Sequence, residues 1–173
     1  MTKYRLLNES LTEYERLLSE QNQNTNISTE ISFIGVSTKT GTITNNGISV
    51  DFNAPNNNAK YGVYSGRNKN NGDQSLLNLV ASNLYDSIVS ISVYADNNNY
   101  NGTFSVTVTD KNGKSVTSDD FTTKKGSVKL SGTINISSLD LSGNLTVVVR
   151  DTTDTSSGNP SSTRVSKIVF NVN

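Results

Sequence analysis

The sequence predicts an all-β chain: a jelly-roll-like antiparallel β-sandwich preceded by a short N-terminal amphipathic helix or arm. Three observations predict it. From Ile31 onward, short runs alternate apolar and polar positions, as in Ile48-Ser-Val50-Asp-Phe52, the period-two pattern of half-buried strands. Asn/Gly clusters at 45–47 and 110–113 punctuate those runs and supply the positive φ angles that tight hairpin turns need. Ahead of them stand Tyr4, Leu7, Leu11, Tyr14 and Leu18, spaced alternately three and four residues apart, which share one face of a helix.

The chain divides accordingly into an amphipathic anchor segment (1–20), a polar linker (21–30) and a sandwich domain (31–173). Leu6 and Leu17 widen the apolar stripe of the first segment, and Glu9, Glu13, Arg5, Arg16 and Glu20 lie mostly off it. Thr2 would cap a helix starting at Lys3; alternatively Asn8 or Ser10 caps a shorter one, with Ser10-x-x-Glu13 matching a capping box. Burying five such side chains falls short of the entropy lost in ordering the whole segment. Two heptads are also too few for an independent coiled coil. The stripe therefore needs a partner surface: its own sandwich, sister copies or another protein. The following stretch, SEQNQNTNIST, has Ile27 as its one large apolar residue and reads as a tether, which favours docking away from the sandwich.

Strands are expected at 31–36, 40–44, 48–52, 60–65, 76–80, 89–95, 104–108, 114–121, 128–136, 145–149 and 165–172, and a single turn of helix at 82–86. Pro55 and Pro160 fall in Asn/Ser-rich loops, in keeping with their exclusion from central strands.

Composition bounds the chemistry. With 173 residues there is room for one sandwich with its own core. Fifteen Lys/Arg balance fifteen Asp/Glu with no block of like charge, so neither nucleic acid nor membrane is an expected partner. The chain has no Cys, which excludes disulfides and thiolate metal sites, and no His, the commonest general base and transition-metal ligand. Glutamates interrupt the leading leucines, so a signal-peptide core is absent, and no run reaches the length of a membrane span.

Candidate sites are few. Asp119-Asp120 and the Asp151/Asp154 pair are the candidates for the paired carboxylates of acid–base work. Adjacent residues of a strand point to opposite faces, however, and residues 151–158 read as a solvated loop. No nucleophile–base set can be assembled, so no enzyme activity is expected. Residues 97–102 begin like an EF-hand loop, but Val108 stands where its glutamate belongs; a looser calcium site would draw on Asp96, Asp151 or Asp154. No metal ligand set and no cofactor is assigned. Tyr61, Tyr64, Tyr94 and Tyr100 would form a stacking platform for a glycan, with Asn side chains matching its hydroxyls. Tyr94 falls on the polar phase of its strand, opposite Val93. The sequons at Asn26, Asn101, Asn135 and Asn144 are products of composition.

The leader 1–20, the polar tether and an Asn/Thr/Ser/Gly-rich body without Cys, His or Trp resemble bacteriophage virion proteins that decorate or project from the capsid, the head-fibre type of crAss-like and similar AT-rich phages. Residues 90–116 (SISVYADNNNYNGTFSVTVTDKNGKSV) with the closing 167–172 also resemble the jelly-roll body of carbohydrate-binding modules and phage appendage domains. The first resemblance implies a structural, non-enzymatic virion protein whose leader binds capsid or portal-region subunits or sister copies in a homo-oligomer. The second implies, as the alternative, a glycan-binding or adhesion module.

Overall fold

Alternating side chains along the body become two packed antiparallel sheets in the computed structural model, which describes residues 10–16, 27–66, 75–154 and 161–173. The strands are β1 (Thr29–Ser32), β2 (Thr40–Asn45), β3 (Ile48–Asn53), β4 (Asn56–Asn58), β5 (Gly62–Tyr64), β6 (Leu77–Ser82) and β7 (Ile88–Asn97). After them come β8 (Gly102–Thr109), β9 (Ser115–Thr117), β10 (Phe121–Thr123), β11 (Lys129–Asn135), β12 (Leu145–Asp151) and β13 (Thr163–Val172). One sheet has the order β11-β7-β13-β5-β4, with β1 sharing the edge of β13 beside β5; the other runs β10-β8-β12-β6-β3-β2, with β9 beside β10 on β8. Counting β5, β6, β7, β8, β10, β11, β12 and β13 as eight strands, the first sheet holds the first, eighth, third and sixth. The second sheet holds the second, seventh, fourth and fifth, which is a jelly roll.

Inward positions of both sheets make the core. Along β12, Leu145, Val147 and Val149 are buried while Thr146 and Arg150 are exposed; Phe33, Phe104 and Phe170 are fully buried. Phe33 meets Phe52 edge to face at 5.8 Å, and Phe104 meets Phe121 at 5.5 Å. Asn46 and Gly47 both take positive φ, closing β2 and β3 in the two-residue turn that the Asn-Gly pair signals.

Three expectations change. The strand expected at 31–36 begins at Thr29 and stops at Ser32, because Gly35 at φ 85° turns the chain. The helical turn expected at 82–86 does not form: Ser82 ends β6, Asn83 adopts φ 58°, and the Tyr85 hydroxyl donates to the Ile27 carbonyl at 2.6 Å. A left-handed residue interrupts a right-handed turn. The strand expected at 114–121 is two short ones, since Thr117 and Phe121 both pair with β8 but Asp119 and Asp120 lie between them in a connecting loop.

Close backbone approach reserves position 62 for glycine. Gly62 has φ 106°, and a Cβ there would stand 2.0 Å from the Val165 carbonyl oxygen of β13. Gly113 has φ 82° with nothing within 4 Å. Gly113→Ala is therefore expected to cost about 1–2 kcal/mol from conformation alone. Gly62→Ala should cost clearly more, about 3 kcal/mol or above, as a drop in urea midpoint at unchanged m-value. Equal losses for the two variants would remove the steric explanation.

Candidate functional site

The first half of β13 assembles a polar cluster because its register sets Thr163 opposite Asn97 and Arg164 opposite Asp96 on β7. Asp96 is fully buried and Arg164 nearly so. The guanidinium donates to both carboxylate oxygens, Nε to Oδ1 at 2.8 Å and a terminal nitrogen to Oδ2, the bidentate geometry that arginine favours. Burial is the largest single influence on Arg164 and works against its charge, but the hydrogen bonds and charge interactions with Asp96 and Tyr64 together outweigh it and raise its pKa. The Tyr61 ring lies 3.8 Å from the guanidinium carbon, and Tyr64, opposite Arg164 on β5, at 5.9 Å.

Behind this pair lies a second buried carboxylate. Asp151, at the end of β12, accepts hydrogen bonds from the Thr153 amide (3.0 Å), Asn97 Nδ2 (3.1 Å), Thr163 Oγ1 (3.1 Å) and Ser161 Oγ (3.3 Å). Burial raises its pKa in spite of those donors. Asp110 and Asp140, in loops at the other end of β8 and β12, shift the opposite way. The Asp140 amide bonds Asp110, and the Ser142 hydroxyl and amide bond Asp140; both carboxyls are held below the ordinary aspartate value.

Next to Asp151 the ends of β8, β10 and β12 leave a cleft of about 610 Å³. Its floor is cross-linked. Thr152 donates its amide to the Thr103 carbonyl (2.9 Å) and its hydroxyl to Asp120 (2.8 Å), while the Thr103 amide donates to Thr153 Oγ1 (3.0 Å). Gly102 fits because a Cβ there would stand 2.3 Å from Thr153 Oγ1. Asp120, Asp154, Lys124 and Lys129 are among its lining residues. Thr123 also lines it, with 3% of its surface exposed, and its Oγ1 is the one buried side-chain polar atom without a hydrogen-bond partner among the described residues.

The tyrosines are brought together in part. Tyr61, Tyr64 and Tyr94 are all half-buried, and Tyr61 and Tyr64 share Arg164. Tyr94 stands between buried Val93 and Ala95 on the outward phase of β7, with Lys167 Nζ 4.3 Å from its ring and Leu130 beside it on β11. Cations thus lie over both rings: Arg164 and Lys60 over Tyr61, and Lys167 over Tyr94. Tyr100 lies in the turn after β7, its amide held by Asn97 Oδ1 at 3.2 Å, and no ring contact joins it to the other three among the described residues. The residues weighed for calcium are dispersed, since Arg164 pairs with Asp96 and hydroxyls and amides surround Asp151. Among the described residues no three carboxylates converge on a metal position.

Of the anchor residues, Leu11 and Tyr14 belong to a helix over 10–16, where Arg16 and Glu13 pair at 2.6 Å. Leu11 is 58% and Tyr14 61% exposed. Tyr4, Leu7 and Leu18 lie outside the described residues.

No family model matches the chain, and no curated protein matches it.

Two outcomes follow from the buried carboxylates. Asp96→Asn, which leaves Arg164 buried without its counter-charge, is expected to destabilise the fold by about 3–5 kcal/mol in urea unfolding. A loss no larger than that of an exposed substitution would contradict this. For Asp151 the sign is set by its raised folded-state pKa: its stabilising contribution is complete below the unfolded value of about 4 and disappears as pH rises through the folded value. Asp110 and Asp140 behave oppositely, contributing above about pH 4 and losing the contribution as pH falls through their lowered values. The stability of Asp151→Asn relative to the native chain should therefore increase as pH rises above about 4. A pH-independent difference would show that burial does not control this group.

Proposed function

We propose that the chain is a non-enzymatic structural protein of a phage virion, of the capsid-decoration or head-fibre kind, anchored by its N-terminal segment and displaying the sandwich. The observation that carries this reading is the exposure of Leu11 and Tyr14 on the helix over 10–16, every residue of which is exposed. A helix face left uncovered at Leu11 and Tyr14 is part of an interface, and capsid or portal-region subunits or sister copies would supply the other half. The entry point of the leader suits display. The Val172 amide donates to Ser28 Oγ at 3.3 Å, and β1 pairs with the second half of β13. The leader thus joins the sandwich at the end opposite Thr163, Asn97 and the cleft, roughly 30 Å away along a ten-residue strand. Many copies on one particle would make weak outward contacts effective together.

A full-length double variant, Leu11→Ser with Tyr14→Ser, tests the anchor. Its unfolding free energy should stay within about 0.5 kcal/mol of the native chain, because neither side chain supports the core. Its incorporation into particles should be lost. Undiminished incorporation would sink the proposal, and a large loss of stability would show that the stripe belongs to the sandwich.

A further inference from the structure

We infer that Asn46, at the tip of the β2–β3 hairpin, is a self-modifying residue, converted without an enzyme to aspartate and isoaspartate through a cyclic imide formed with Gly47. The Gly47 backbone nitrogen, losing its proton to solvent base, attacks the side-chain carbonyl carbon of Asn46. The new C–N bond closes a five-membered ring, and the old one breaks to release ammonia. Water then opens the ring. Attack at the side-chain carbonyl leaves aspartate, and attack at the main-chain carbonyl leaves isoaspartate, whose backbone runs through the former side chain.

Glycine must follow the asparagine because a Cβ would crowd the attacking nitrogen. Three Asn-Gly pairs lie among the described residues, and their surroundings separate them; Asn71-Gly72 lies outside the described residues. At Asn112-Gly113 both reacting groups are held: the Gly113 amide donates to the Asp110 carbonyl at 3.0 Å, and Asn112 Nδ2 to Asp140 at 3.0 Å. At Asn101-Gly102 the Asn101 Oδ1 accepts from the Lys125 amide at 3.2 Å, and Gly102 is paired with Thr123 and crowded by Thr153. Asn46 and Gly47 are both exposed. Neither the Asn46 side chain nor the Gly47 amide makes a hydrogen bond among the described residues, and no atom would meet a Cβ at Gly47 within 4 Å. The Asn45–Ile48 rung closes the turn, so Asn46 can rotate into the ring geometry by local opening, without disturbing the core.

The modification bears on the attachment of the leader. β2 is an edge strand whose ladder is with β3, and Asn45 Nδ2 donates to the Glu30 carbonyl of β1 at 2.9 Å. Isoaspartate lengthens the main chain inside a turn whose two residues fix the hairpin register. It thereby releases the Asn45–Ile48 rung and the link to β1. Either product also adds a negative charge to a chain of zero formal net charge.

The test incubates the full chain for weeks at mildly alkaline pH and follows each Asn-Gly pair by mass-spectrometric peptide mapping that separates aspartyl from isoaspartyl peptides. Asn46 should convert at least roughly three- to tenfold faster than Asn101 and Asn112, each of which must first break a hydrogen bond. In urea, where the turns are lost, the three should convert at similar rates. Asn46→Gly, which keeps access to positive φ, should abolish the modified peptide without lowering the unfolding midpoint. The isoaspartyl form should show faster amide hydrogen exchange at 41–45. The inference is overturned if Asn46 in the folded chain converts no faster than Asn101 or Asn112, if the same ranking persists in urea, or if the isoaspartyl form exchanges at 41–45 like the native chain.

Discussion

The ladder between β7 and β13 is the constraint on which the rest of the molecule depends. Every other strand of the first sheet reaches it through one of these two: β11 through β7, β1 and β5 through β13, and β4 through β5. Its register also sets the buried chemistry, bringing Arg164 to Asp96 and Thr163 to Asn97 across more than sixty residues of sequence. Because β13 is the latest strand in the sequence and pairs with the earliest, Thr29 against Phe170, the first sheet cannot close by local steps. Closure of such long loops precedes the contacts that repay it, so the fold belongs with slow, topologically non-local β proteins.

Much of the body was legible because alternation and turn chemistry are local. The pattern of Ile48, Val50 and Phe52, the Asn46-Gly47 turn and the outward phase of Tyr94 all follow from neighbours within a few residues. What escaped was set by partners distant in sequence. Nothing near Asn83 announces that Tyr85 will reach back to Ile27 and hold the chain away from a helix. The irregularity at Ser166, between Val165 and Lys167, lets Arg164 face Asp96 while Ile168 still enters the core, and a bulge leaves no plain mark in alternation. The cleft was the least legible feature: Thr103, Asp120 with Thr123, and Thr152 come from three separate segments of a chain in which threonine is common. The one available signal was Thr and Asp concentrated at strand ends, at 119–123 and 151–154.

Charge is handled differently at the two ends of the sandwich. Where Asp110 and Asp140 meet solvent-facing loops, amides and hydroxyls stabilise the ionised carboxyls and tie the β8–β9 turn to the loop before β12. At the other end Asp96 and Asp151 are taken out of water, one neutralised by Arg164 and the other surrounded by uncharged donors. Burying charge in this way is costly and specific. It ties β7, β12 and β13 together at the end of the sandwich beside the cleft.

The attachment of β1 has a mechanical consequence. Chain preceding Thr29 enters along β1, whose rungs run from Thr29 opposite Phe170 to Ser32 opposite Lys167, reinforced by the Lys167–Glu30 ion pair at 2.7 Å. A tension applied through that leader and directed along the strand loads these rungs together, in shear. The same tension applied across the strand would break them one after another, as in opening a zip. An object held by its leader and dragged by flow would therefore resist detachment best when it trails in line with the sandwich axis, with the cleft at the trailing tip.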